Sequence, residues 1–255
     1  KECGINYSNL LHDEINKTKK EVNLYSNFSD KEKGLWFSNR LSFTRGRNKS
    51  EMILVNHPAE AISHFNIYQE ITNYCSFFES TSQTTINSIK KHIKKNNLKL
   101  KISTPNTKEA YLDDLKLILE IIKDDHIDFI QIDQNVIIVK IQKFLTNKTK
   151  LVKLMRLIEK FNKEYITKNI KYLGNSVKTY IKKDIIHFNQ GEDFIDLKIP
   201  YTFQHISCFT ELLLKAYPSE YISKIEKTEH IHWRKASQEY TKKIDKKFIE
   251  LEELL

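Results

Sequence analysis

Glycine and proline are scarce in this chain, and their scarcity narrows the folds open to it more than any other feature. The 255 residues include 5 glycines and 4 prolines, which is well below average usage. Because both residues punctuate turns and loops, so few of them favour helices joined by short turns. The same scarcity argues against a phosphate-binding loop built from glycines. The length of the chain is sufficient for one large domain or two small ones.

The charge balance is basic. Lysine and arginine number 42 against 33 aspartates and glutamates, which gives a formal net charge of +9 and a pI near 9.2. Such an excess indicates a nucleic acid, an anionic membrane or an acidic protein surface as partner. The abundance of Lys, Asn and Ile is also typical of an AT-rich genome, which weakens the argument from charge alone.

Hydropathy and cysteine usage indicate the cellular compartment in which the protein is expected. The mean hydropathy is −0.53, and no apolar run approaches the 18 residues that indicate a membrane-spanning helix. The three cysteines, Cys3, Cys75 and Cys208, are odd in number and far apart. A disulfide framework is therefore not expected, and we predict a cytoplasmic protein without a transmembrane segment.

The N-terminal half contains a basic amphipathic segment. Apolar residues follow Pro58 at spacings that predict a buried helical face: Ile62, Phe65, Ile71, Cys75 and Phe78. Residues 83–97 predict a second helix, which is basic, and residues 98–102 alternate as a strand does. Helix, turn, basic helix and strand resemble half of a winged helix-turn-helix, so we expect a helical part with a helix-turn-helix-like unit in residues 1–105.

The remaining residues, 106–255, predict helices and two β-hairpins. Residues 127–132 and 136–142 indicate the first hairpin, and residues 184–198 indicate the second. Between them, an apolar stripe predicts a long helix over residues 148–170. A seam that begins at Trp233 predicts a C-terminal helix that packs within the chain rather than in a coiled-coil dimer. The expected fold class is α+β, predominantly α-helical with two β-hairpins.

The basic segment predicts contact with nucleic acid. Five lysines stand on it or just beyond it: Lys90, Lys91, Lys94, Lys95 and Lys99. They could neutralise phosphates and give a salt-dependent affinity. The only residues there that could reach base edges are Gln83, Thr84 and Asn87, which are too few to predict base specificity from the sequence.

The second hairpin carries two carboxylates and a lysine at a suggestive spacing. Asp184 opens it, and Asp196-Leu-Lys198 closes it. This arrangement resembles the catalytic hairpin of PD-(D/E)xK nucleases over about fifteen residues. The resemblance implies that Asp184 and Asp196 bind Mg²⁺, that Lys198 helps to activate water, and that the protein is a metal-dependent nuclease.

Two further functions stay open. Arg45, the triplet at residues 80–82 and Glu192 resemble, in that order, the signature of mono-ADP-ribosyltransferases, which implies NAD as the substrate. The other alternative is a non-catalytic interaction module, a regulator or effector that uses its lysines to bind an acidic protein surface.

Overall fold

The protein is described from a computed structural model, which covers residues 35–37, 50–68, 72–77, 82–133, 135–173, 184–230, 232–233 and 235–242. The chain divides into two compact units. The first contains Lys1–Asn106 together with Ser223–Leu255, and the second contains Thr107–Ile222. The first division lies close to the boundary expected near residue 105. Residues 223–255, which the sequence groups with residues 106–222, are grouped here with the first unit.

The first unit is built on a five-stranded sheet in the order β1-β3-β2-β4-β9. In this unit the strands are β1 (Leu35–Phe37), β2 (Glu51–Val55), β3 (Asn73–Phe77), β4 (Lys99–Ile102) and β9 (Ile222–Ile225). Its helices are α1 (Pro58–Tyr68) and α2 (Gln83–Asn96). Residues 235–242 are helical as predicted, Trp233 at the start of the predicted seam is buried, and the part of the seam after residue 242 lies outside the described residues.

Strands β2, β3 and β4 are parallel, and β1 pairs with β3 in the antiparallel direction. Helix α1 connects β2 to its neighbour β3, and α2 then crosses back over β2 to reach β4. Because parallel crossovers are almost always right-handed, two crossovers that run in opposite directions place α1 and α2 on opposite faces of the sheet. Ala61 and Phe65 of α1 accordingly pack on Ile53, Val55 and Tyr74.

The helix-turn-helix-like prediction for the N-terminal half is wrong. Helix α1 ends at Tyr68, and residues 73–77 form the buried strand β3 instead of continuing the helix through Cys75. Ile71 and Phe78, which were assigned to the same helical face, lie outside the described residues. The basic helix α2 is therefore a crossover helix of a parallel sheet, and β4 pairs with β2 rather than forming a wing.

The described part of the second unit combines an antiparallel sheet with three α-helices. The strands, in the order β5-β6-β8-β7, are β5 (Ile127–Asp133), β6 (Val136–Gln142), β7 (His187–Gln190) and β8 (Phe194–Pro200). The helices are α3 (Lys108–Ile121), α4 (Lys148–Leu173) and α5 (Phe203–Ala216). Both predicted hairpins are confirmed, since β5 pairs with β6 and β7 with β8.

One face of this antiparallel sheet forms the core of the second unit. Three cross-strand pairs between β6 and β8 lie on that face: Ile137 with Ile199, Val139 with Leu197, and Ile141 with Ile195. All six side chains are buried. Helix α5 packs against β8 and against α3 and α4. Helical residues outnumber strand residues in the described chain, so the α+β class with predominant helix is confirmed.

No helix within the described ranges combines the length and the apolar character needed to cross a membrane.

Candidate nucleic-acid interface

Helix α2 is fixed at its N-terminus by a side-chain cap. Ser82 has an extended backbone, and its Oγ accepts a hydrogen bond from the Thr85 amide at 3.1 Å. This bond satisfies one of the amide groups that lack a partner within the first turn of any helix. Ile86, Ile89 and Ile93 follow at helical spacing and are all buried. One face of the helix is thus held rigidly in the first unit.

The C-terminus of α2 is equally well defined. Asn97 adopts the left-handed conformation, with φ of 49° and ψ of 50°. Its amide donates to the carbonyls of Ile93 and Lys94, which would otherwise lack partners at the helix end. Asparagine tolerates this conformation better than most residues, and the cap turns the chain directly into β4.

A group of lysines, which we call the lysine face, occupies the side of α2 next to its buried isoleucines. It consists of Lys90, Lys91, Lys94, Lys95 and Lys99. Lys90 is half-buried at the margin, and the other four are exposed. On a helix with 3.6 residues per turn, positions 90, 91, 94 and 95 form two adjacent rows one turn long. Four of the five predicted binding lysines are therefore brought together on one helix surface, and Lys99 follows at the start of β4.

The sequence around the lysine face is basic and contains no acidic residue. Residues 80–108 include seven lysines and no aspartate or glutamate. Burial, and then the charge of Lys95, lower the pKa of His92 on the same helix. Lys94 and Lys95 lie in the last turn, where the negative end of the helix dipole stabilises cations. The helix thus supports a cluster of charge that no neighbouring acid in sequence offsets.

The N-terminal half of the same exposed surface is uncharged. Gln83, Thr84 and Asn87 are exposed there, and Nε2 of Gln83 donates to Oδ1 of Asn87 at 3.3 Å. The surface of α2 therefore changes from amides and hydroxyls in its first turns to lysines in its last turns.

Asp184 lies outside the hairpin that it was predicted to open. Strand β7 begins three residues later, at His187. Oδ2 of Asp184 accepts a hydrogen bond from the Tyr165 hydroxyl on α4 at 2.8 Å. Burial, the hydrogen bond to Asp184 and the charge of that carboxylate raise the pKa of Tyr165 to about 12. The ring of Tyr165 lies 4.7 Å from that of the buried His205 on α5. Asp184 therefore belongs to the helical side of the second unit.

Asp196 and Lys198 lie on the opposite side of the sheet. They alternate along β8 with Ile195 and Leu197, which are buried against the helices. Asp196 is opposite Lys140 on β6 and Asn189 on β7. Its Oδ1 atom is buried and makes no hydrogen bond to any residue in the described part of the chain.

The structure thus brings Asp196 and Lys198 together but not Asp184, because the acids lie on different sides of the sheet. The residue opposite Asp196 on β7 is Asn189. Among the residues that the structure describes, no group of three or more His, Cys, Asp or Glu side chains could hold a metal ion. Asp184 and Asp196, the two acids that the nuclease resemblance assigns to Mg²⁺, belong to no such group within the described ranges.

Asp184→Ala is expected to destabilise the second unit by about 1–2 kcal/mol, because it leaves the Tyr165 hydroxyl without its acceptor. The carboxylate also lies beside the segment that Asn162 holds through two hydrogen bonds to the Ile186 backbone. Urea denaturation followed by far-UV circular dichroism measures the loss. Asp196→Ala is the matched control. It should lower the free energy of unfolding by less, because the Oδ1 atom that it removes makes no hydrogen bond to the described residues. An equal or greater loss for Asp196→Ala would contradict this assignment.

The structure describes only part of the transferase signature. Arg45, Ser80 and Thr81 lie outside the described residues. Ser82 belongs to the first unit and caps α2, whereas Glu192 is exposed in the turn between β7 and β8 of the second unit.

A buried charged network in the first unit was not predicted from the sequence. Lys101 on β4 is 1% exposed, and its Nζ lies 2.6 Å from Oε2 of Glu226. His64 on α1 is fully buried, with its ring nitrogens 3.4 Å from Glu226 Oε2 and 3.2 Å from the Tyr74 hydroxyl. Glu226 follows β9 and its amide donates to the Ile102 carbonyl, so the network attaches the C-terminal segment to the sheet. Lys101 and Glu226 are 125 residues apart and His64 and Glu226 are 162 apart, separations at which the spacing of residues in the sequence predicts no contact.

No protein-family model matches this sequence, and no curated protein or solved structure matches it either.

Proposed function

We propose that the protein binds nucleic acid through the phosphate backbone, with the lysine face of α2 as the contact surface. The observation that carries the proposal is the clustering of exposed lysines on a rigid, capped helix within a stretch that contains no acidic residue. Lysines at such a surface displace the counterions condensed on nucleic acid, which is the main source of sequence-independent affinity.

The spacing of the lysines suits a phosphate chain. Lys91 and Lys95 are one turn apart, about 6 Å along the helix axis. Lys90 and Lys94 form the neighbouring row, and Lys99 extends the surface beyond the helix end. Because a nucleic-acid strand repeats its negative charge every few ångströms, such rows can contact successive phosphates. A protein partner would have to present an equally dense row of carboxylates.

Reversing the charge of three lysines tests the proposal. In the variant Lys91→Glu, Lys94→Glu, Lys95→Glu, the affinity for a fluorescent 20-base-pair duplex at physiological salt should fall by roughly tenfold or more. The logarithm of the binding constant should also depend less steeply on the logarithm of the salt concentration, by about 0.9 for each lost phosphate contact. Fluorescence anisotropy across a salt series measures both quantities.

A matched variant distinguishes the effect of where the lysines lie from the effect of the net charge. Lys153→Glu, Lys163→Glu, Lys168→Glu changes three exposed lysines of α4 and lowers the net charge equally. It should retain most of the affinity. Equal losses in the two variants would contradict a defined binding surface, and no binding by the unchanged protein would end the proposal.

Competition with polyglutamate separates nucleic acid from an acidic protein as partner. We expect polyglutamate of equal charge to displace the duplex only at much higher concentration. Displacement at equal concentration would favour the non-catalytic module that binds an acidic protein.

The proposal is one of binding and does not include cleavage at Asp184, Asp196 and Lys198. Incubation of a labelled duplex with the protein and Mg²⁺, followed by gel electrophoresis, tests this point. Cleavage that Asp196→Ala abolishes would restore the nuclease hypothesis.

A further inference from the structure

The exposed side of α2 is divided along its length in a way that phosphate binding alone does not require. Gln83, Thr84 and Asn87 occupy the first turns, and the exposed lysines occupy the last turns. Asn87 lies four residues before Lys91 and seven before Lys94, which corresponds to about 6 and 10 Å along the axis. Both distances are within the 12 Å width of the major groove of B-form DNA.

We infer that α2 enters the major groove of double-stranded DNA with its N-terminal turns, and that Asn87 reads adenine there. The inference rests on the proposed function, because the lysine face would contact the phosphates that border the groove. An asparagine amide can donate to N7 and accept from N6 of adenine at the same time, a pair of bonds that no other base offers in the major groove.

A hydrogen bond from Gln83 orients the amide of Asn87 for this contact. Gln83 Nε2 donates to Asn87 Oδ1 at 3.3 Å, which favours the orientation with the amide oxygen toward Gln83. The oxygen has a second lone pair, with which it can accept the N6 amino group. Gln83 and Asn87 stand at positions i and i+4 on the helix surface, where such an amide pair also supports the helix.

The chemistry of α2 favours adenine over guanine. Guanine is read most often by arginine or lysine, which contact O6 and N7 together. No arginine occurs in α2, and its four lysines all lie at position 90 or beyond, at least three residues after Asn87. The partner is duplex DNA rather than duplex RNA, since the major groove of an A-form helix is too deep and narrow for a protein helix.

Selection from a random duplex library with the full-length protein tests the inference. We expect the selected duplexes to share adenine at one position or more and to bind about tenfold more tightly than unselected duplexes, the lower end of what a bidentate amide contact contributes. Asn87→Ala should lose this preference while it binds unselected DNA within about twofold of the unchanged protein. Asn96→Ala removes an exposed amide from the other end of the same helix and should keep the preference.

A change in the DNA provides a test that does not depend on the folding of a variant. Replacing the selected adenine with 7-deazaadenine removes the N7 acceptor and leaves base pairing and phosphates intact. Binding by the unchanged protein should weaken about tenfold, and binding by Asn87→Ala should not change. An equal effect of 7-deazaadenine on both proteins would overturn the role of Asn87.

The outcomes separate this inference from the proposed function. If no sequence is enriched while the lysine triple variant still loses affinity, the groove reading fails and phosphate binding stands. If a single-stranded oligonucleotide binds more tightly than any duplex, the major-groove contact is likewise overturned. If neither duplex nor single strand binds, both proposals fail.

Discussion

Glu226→Ala is expected to lower the free energy of unfolding of the first unit by about 3–5 kcal/mol, the usual cost of removing one member of a buried ion pair. Glu226 Oε2 lies 2.6 Å from Nζ of Lys101, a side chain with almost no exposure. The variant leaves that ammonium buried without its carboxylate. Because Trp36 and Trp233 both belong to the first unit, tryptophan fluorescence during urea denaturation reports on this unit.

Two control variants distinguish the buried pair from a surface interaction. Lys224 Nζ lies 3.1 Å from the other carboxylate oxygen of Glu226, but its side chain is 53% exposed. Lys224→Ala should therefore cost less than about 1 kcal/mol. The double variant Lys101→Met, Glu226→Gln removes both charges and should be much more stable than Glu226→Ala. If Glu226→Ala cost no more than Lys224→Ala, the buried pair would not be a stabilising element.

The same carboxylate predicts how the first unit responds to acid. Burial of Glu226 alone would raise its pKa, but hydrogen bonds and charges from Lys101 and Lys224 outweigh burial, so the pKa lies below the ordinary value of 4.5. A group with a lowered pKa in the folded state stabilises the fold above its unfolded pKa, and the stabilisation is lost as the pH falls through the folded value. The urea concentration at the unfolding midpoint should therefore decrease when the pH is lowered below about 4.5. The decrease should be smaller in Glu226→Gln, which has no carboxylate to protonate at this position.

Helices with one apolar face were predictable from the sequence. Ile86, Ile89 and Ile93 recur at the period of a helix that is buried on one side, and Ser82 is a good cap. The hairpins were predictable for the matching reason, since β6 alternates between buried and half-buried residues over its whole length. In both cases the information is local, because it depends on neighbours within a few residues.

The parallel sheet of the first unit was not predictable in the same way. A central parallel strand is covered on both faces, so its residues show no alternation that would distinguish them from a helix. Cys75, at helical spacing in the sequence from Ile71 and Phe78, lies instead in such a strand. Strand β9 was missed because its two middle residues, Ser223 and Lys224, are polar and exposed at the edge of the sheet.

The residues of the candidate sites also differ in how far local sequence could predict their arrangement. The lysine face was predictable because all of its members lie within ten residues on one helix and the following strand. The grouping of Asp184 with Asp196 was not, because it depended on where β7 begins and on which face of the sheet each side chain lies. A one-residue difference in strand position moves a side chain to the other face.

Trp233→Ala is expected to lower the free energy of unfolding of the first unit by about 3–5 kcal/mol, since it removes a large aromatic side chain from a packed core. Trp233 is 1% exposed, and its ring lies 4.8 Å from that of His64. Its Nε1 donates to the Ser103 carbonyl just beyond β4. With Trp36 as the remaining tryptophan, urea denaturation can still be followed by fluorescence.

Two further variants divide this loss into its physical parts. Trp233→Phe keeps most of the ring contacts but leaves the buried Ser103 carbonyl without its donor, so it should cost about 1–3 kcal/mol. Tyr240→Ala removes an aromatic side chain that is 42% exposed on the helical segment that follows, and it should cost little. A Trp233→Ala loss no larger than that of Tyr240→Ala would contradict the packing of the C-terminal segment on the sheet. The expected order has Trp233→Ala as the least stable variant and Trp233→Phe as intermediate. Because the residues that contact Trp233 lie more than 120 positions earlier in the chain, this order would show that the C-terminal segment completes the core of the first unit.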